Sequence, residues 1–218
     1  MKKIKGKQHY NWNFAFDFYW SDKSRASVRS ETLKDKKEFF PEIEKIIDKN
    51  SELNFKLFEK FGAQHPISQL WLESETDIKA SVYLCFGGYY RQAIAILRNW
   101  LELTLLAIYF SERPQEYEEW KKGIKKSPVG KPLIRKVFKE GDKKIVMKEK
   151  LEKECEEIYD KLSIFTHSRG IDKYKLQEGR DNVPRYLEKS FNLWFELFKA
   201  TWKVNKDLLK MFFIEKHF

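Results

Sequence analysis

Glycine and proline are scarce in this chain, nine and six among 218 residues. So few breakers disfavour a protein of many short strands and tight turns and favour long helices. Cysteine is scarcer: Cys85 and Cys155 are the two in the chain. Both fall on apolar helical faces, so they are expected as reduced core residues, and a secreted disulfide framework is excluded. The four histidines, His9, His65, His167 and His217, stand apart from one another. There is no Cys-x-x-Cys, no His-Glu-x-x-His and no Glu-x-x-His pair, so no metal site is expected. Gly130–Lys131 lacks the upstream glycine of a phosphate-binding loop, and no Gly-x-Ser-x-Gly elbow occurs. No cofactor is expected. The amino terminus is basic but has no uninterrupted apolar run, because Asn11, Asn13 and Asp17 break it. It reads as no signal peptide, and the expected compartment is the cytoplasm.

Aromatic residues, by contrast, make up 16% of the chain and include seven Trp and eighteen Phe. That is ample material for a large core and argues against disorder. The centre of the pattern is Gly87 to Ser111, apolar nearly all the way round between Ala93 and Phe110. A helix of this kind is buried in a core or a membrane. Arg98 and Glu102 at its middle, with no second candidate span, favour the core and no membrane partner. At 100° per residue, Arg91, Arg98 and Glu102 fall within about 40° of one another. The charges of this helix thus form one stripe, and Arg98 and Glu102 are spaced to pair. Charges so placed persist in a core only when partnered.

Hydrophobic periodicity predicts an all-α fold, a mostly antiparallel bundle of about five long helices near 41–61, 68–86, 88–111, 143–167 and 184–216. Pro41 suits the first position of a helix, and Gly62 and Pro66 close it. Residues 9–20 behave differently. Tyr10, Trp12, Phe14, Phe16 and Phe18 alternate with mostly polar neighbours, the period of an extended segment. The reading is a single domain over 1–218, with an extended aromatic arm over 1–30, a short helix within the polar, basic residues 21–40, a short acidic turn of helix at Glu116–Trp120, and a basic insertion over 121–150 that a short helix, Leu133 to Phe138, interrupts. The arm is expected to dock on helices or on a second copy, which makes a homodimer the expected state.

The formal net charge is +10. Between Lys121 and Lys153 thirteen Lys and Arg face four Asp and Glu, so one segment holds nearly the whole excess. Lys121, Lys122, Lys125, Lys126, Lys131, Arg135, Lys136, Lys143 and Lys144 are its candidate contacts to RNA or another polyanion. The other polar feature is the run YDKLSIFTHSRG at 159–170. Ser163 and His167 are one helical turn apart, with Asp160 a further turn back. Should the bundle bring His167 to Arg98 and Glu102, the set offers an acid or base beside a cation, with Arg91, Ser163 and Asp160 as polar support. The competing reading is a satisfied hydrogen-bond cluster that ties two core helices together.

Gly88, Ala93, Arg98 and Glu102, followed by Leu162, Ser163 and His167, resemble a group of bacterial and archaeal helical proteins placed near the HEPN superfamily. The likeness spans about residues 75–170. Members of that superfamily include ribonuclease toxins and antiphage effectors. The resemblance therefore implies a metal-independent ribonuclease or an RNA-acting toxin or defence component, with His167 as the transferable catalytic candidate. The chain departs from the family at one point. HEPN ribonucleases place four to six residues between an Arg and a following His, and here Lys161, Lys60 and Lys210 hold the positions of that Arg before His167, His65 and His217. Lysine supplies charge without the bidentate fork of arginine. The alternative is a non-catalytic helical module that binds nucleic acid or a protein partner through the basic insertion, its polar cluster purely structural.

Overall fold

A computed structural model describes residues 22–139, 145–166 and 185–214. Every regular element among them is helical. Eight α-helices lie among the described residues: α1 (Asp22–Asp35), α2 (Phe40–Phe61), α3 (Pro66–Phe86), α4 (Tyr90–Ser111), α5 (Pro114–Lys121), α6 (Lys131–Lys139), α7 (Ile145–Ser163) and α8 (Glu188–Leu209). A single 3-10 turn, Lys37–Phe39, joins α1 to α2, and α8 ends in a π turn, Lys210–Ile214. The all-α reading of the sequence holds.

α4 is the hub. Its Leu97, Trp100, Leu101 and Leu105 have no exposed surface. Among the described helices it alone is long and apolar enough to cross a bilayer, yet 67% of that window is buried inside the fold. α3 runs back along it, joined by a turn at Gly88, where φ is +79°. The Ser81 hydroxyl donates to the Ala93 carbonyl at 2.8 Å and accepts from Trp194 Nε1 at 2.9 Å, so one small side chain locks α3, α4 and α8 together. α8 runs in the same direction as α4: Tyr90 meets Leu187, and Trp100 meets Phe198 and Trp202. α7 runs opposite to both, since Arg91 meets Phe165 while Glu102 meets Tyr159, and Lys203 meets Glu154.

Two parts differ from expectation. The extended arm assigned to residues 1–30 does not include 22–30, which belong to α1. Val28, Thr32 and Lys36 follow at four-residue steps and are all buried, and that helical period outweighs the polar composition. The arm's aromatic residues, Tyr10 to Phe18, lie outside the described residues. Within the basic segment, α6 is the short helix expected at Leu133–Phe138, and it buries Leu133, Ile134, Val137 and Phe138 against the core. The last helix starts at Glu188 rather than 184. Residues 185–187 are held as a non-helical strip over the α3–α4 turn, where the Leu187 amide donates to the Tyr90 hydroxyl at 3.1 Å. A Cβ on Gly88 would lie 2.7 Å from the Arg185 carbonyl oxygen, so this approach requires glycine.

Cys85 and Cys155 are free and buried, and burial pushes both thiols up from their ordinary range. His65 caps α3: its Nδ1 accepts from the Ile67 amide at 3.3 Å, and its ring stacks on Phe61.

Candidate functional site

The polar stripe of α4 meets the last turns of α7. Arg98 and Glu102 project from α4 one turn apart, with side chains 16% and 20% exposed. Tyr159 of α7 sits between them. Its hydroxyl accepts from Arg98 Nη2 at 2.5 Å and donates to Glu102 Oε1 at 3.1 Å. The same Nη2 donates to Glu102 at 3.2 Å. Nη1 donates to Thr166 Oγ1 at 2.6 Å, and that hydroxyl donates to the Ser163 carbonyl at 3.0 Å. The guanidinium also lies 4.9 Å from the centroid of the Tyr159 ring. Arg91 completes the line, its Nε donating to the Phe165 carbonyl at 3.1 Å. All three stripe residues thus engage residues 159–166, and the C-terminal end of α7 is fixed to α4 by charge-assisted bonds. Burial pushes the Tyr159 phenol up from its usual range, with the Glu102 carboxylate adding to the shift and Arg98 opposing it. The phenol is therefore neutral and able to donate, as the bond to Glu102 requires.

The basic segment crosses this cluster. A Cβ added to Gly130 would lie 2.9 Å from the Tyr159 hydroxyl oxygen, and φ at Gly130 is +64°. Both features call for glycine at the point where the loop comes down on the phenol. The next residue, Lys131, pairs with Asp160 at 2.7 Å on the surface. α6 then turns inward on its four apolar residues.

The sequence candidates divide accordingly. Arg91, Arg98 and Glu102 converge on α7. Ser163 takes part through its carbonyl, with its hydroxyl buried. Asp160 faces outward to Lys131 and plays no part in the Arg98 network. His167, Lys143 and Lys144 lie outside the described residues, so the expected meeting of His167 with Arg98 does too. Among the described residues, Tyr159 and Thr166 bind Arg98 across the interface, and the sequence candidates do not include them. Their signal was available: 159, 163 and 166 share one helical stripe, and a tyrosine at the edge of an apolar face commonly has a hydroxyl partner.

The basic candidates are less free than their number suggests. Lys121 pairs with Glu118, Lys125 with Glu116 at 3.0 Å, and Arg135 with Glu156 at 3.5 Å. Lys136 lies over the Tyr109 ring. Among the described residues, Lys122, Lys126 and Lys139 have no ion-pair partner. These exposed pairs are weak and exchange readily for a phosphate. No three metal-ligating side chains gather among the described residues. No family model, curated protein or solved structure matches the chain.

Proposed function

We propose that the chain binds and acts on RNA, or a polyanion like it, where the basic α5–α6 loop crosses the Arg98–Tyr159–Glu102 cluster. The observation that supports this is the seat of Gly130 on the Tyr159 hydroxyl. It joins the most basic stretch of the chain to its most concentrated polar network. In the HEPN-like form of this reading, a cytoplasmic toxin or defence component cleaves RNA without metal. His167 is the acid or base, and the cluster fixes the end of α7 from which His167 follows in the chain. Arg98 and Glu102 then position rather than react. The bundle is read as five long, mostly antiparallel helices. The aromatic arm docks on this bundle or on a second copy to form a homodimer.

The test uses a labelled single-stranded RNA in buffer containing EDTA. Binding is expected to weaken steeply between 50 and 200 mM salt, on the order of 10³-fold if about six phosphates are contacted. Changing Lys122 and Lys126 to Glu should weaken it without lowering the melting temperature. His167→Ala should abolish cleavage and leave binding intact. RNA that neither binds at low salt nor is cut would overturn the proposal.

A second reading has its own support. Both Nη groups of Arg98 donate to groups of the protein itself. This favours a non-catalytic module in which the cluster is a fastener and the basic loop alone binds nucleic acid or an acidic partner. In that case RNA binds as above, and no variant changes its length.

A further inference from the structure

A second candidate site lies on the opposite side of α4. Trp100 and Arg98 are two residues apart and so project about 200° from each other around the helix. Arg98 points to α7, whereas Trp100 points to α8, where its ring lies near-parallel to Trp202 at 6.3 Å and 12°. Trp202 also lines a groove between α2 and α8 with a volume of about 520 Å³. The groove's apolar floor is Pro41, Ile46 and Trp202, and its rim is Lys45, Lys49 and Lys199, with Glu42 the lone acid. Lys199 is engaged with Glu196 at 2.8 Å and lies over the Phe195 ring. Lys45 and Lys49, one turn apart on α2, are exposed and have no ion-pair partner among the described residues.

An aromatic and aliphatic floor under a rim of lysines is complementary to one kind of chemistry: a flat apolar ring that carries negative charge. The volume falls in the range of small-molecule sites. The two lysines of α2 stand about 6 Å apart along the helix axis, close enough to share a phosphate or to hold adjacent ones. We propose that this groove binds a nucleobase with its attached phosphate, the base against Trp202 and Ile46 and the phosphate between Lys45 and Lys49. The ligand is either a free nucleotide or one unit of a single strand. This site is separate from the α5–α6 loop and does not depend on the reading given to it.

Calorimetric titrations of the full chain at 50 mM salt with AMP, ribose 5-phosphate and a six-nucleotide oligoadenylate test the assignment. AMP should bind at least tenfold tighter than ribose 5-phosphate, because only AMP reaches the floor. Changing Lys45 and Lys49 to Glu should weaken AMP at least tenfold with no change in melting temperature. In the Lys122→Glu, Lys126→Glu protein, which removes the loop's contribution, oligoadenylate binding tighter than AMP identifies a strand as the ligand, and equal affinities identify the free nucleotide. Equal binding of AMP and ribose 5-phosphate, or no AMP binding at all, overturns the proposal. So does AMP affinity that is lost in the Lys122→Glu, Lys126→Glu protein but kept in the Lys45→Glu, Lys49→Glu protein. The lysine variants are on the surface, and the ligand comparison needs no variant, so neither arm depends on disturbing Trp202.

Discussion

Tyr159 links both charged groups of the site. Its hydroxyl is bonded to two charged groups in a half-buried setting, and its ring underlies the guanidinium. Tyr159→Phe removes the hydroxyl and leaves the ring, so it isolates the bond. Hydrogen bonds to charged groups contribute roughly 1.5–3 kcal/mol. Urea unfolding of this variant should show a loss of that size. Loss of less than about 0.5 kcal/mol would mean that Arg98 and Glu102 satisfy each other without it. His65 gives a prediction in pH. Burial lowers its pKa below 6.5, and Nδ1 must stay unprotonated to accept from the Ile67 amide. Its folded value is depressed, so the unfolded state takes up the proton first as pH falls. Stability is then full above 6.5 and declines as pH drops through the folded value. Melting curves between pH 7.5 and 5 should show this slope, and His65→Asn, which keeps a capping side chain, should flatten it.

α6 shows how composition and pattern compete. Its nine residues include Lys131, Arg135, Lys136 and Lys139, and on charge alone the segment reads as part of a solvated insertion. Yet Leu133, Ile134, Val137 and Phe138 fall at i, i+1, i+4 and i+5, which makes one apolar face, and that face is buried. Phe138 is 2% exposed and meets Phe212 edge-on at 6.0 Å. Phe138→Ala should therefore cost about 3–5 kcal/mol, as for a core aromatic. A loss below 1 kcal/mol would show α6 to be a loosely held surface element. The same comparison explains what could be read in advance. α4 was legible because its apolar run is long and its three charged residues share one stripe. α1 was legible only as a short helix somewhere within 21–40, because Val28 is its single buried apolar side chain and Thr32, on the same inner face, looks like a surface residue. Arg98 and Glu102 were recognisable as a pair needing partners. That the partners are Tyr159 and Thr166 follows from how α7 lies across α4, and spacing along one helix does not encode the crossing of two.

At the scale of the whole molecule, the aromatic segment ahead of α1 has the clearest consequence. If the two-residue alternation of residues 9–20 is that of an extended stretch, its five aromatic side chains share one side and bring roughly several hundred Å² of apolar surface that requires cover. Deleting residues 1–20 should shift the solution mass from dimer to monomer if a second copy supplies that cover. An unchanged mass together with a lowered melting temperature would place the cover within one chain. The two buried thiols offer a further handle, in time rather than in energy. A thiolate must reach solvent before it can react, and burial holds both Cys85 and Cys155 in the unreactive form. Alkylation of the native protein is thus a clock that advances when the chain opens. Cys85 sits on the α3–α4 hairpin, whereas Cys155 sits on α7, whose tie to α4 includes the polar network. If the fold opens as one unit, both residues label at a single rate. If α7 lifts away first, Cys155 labels ahead of Cys85, and Tyr159→Phe widens the interval between them.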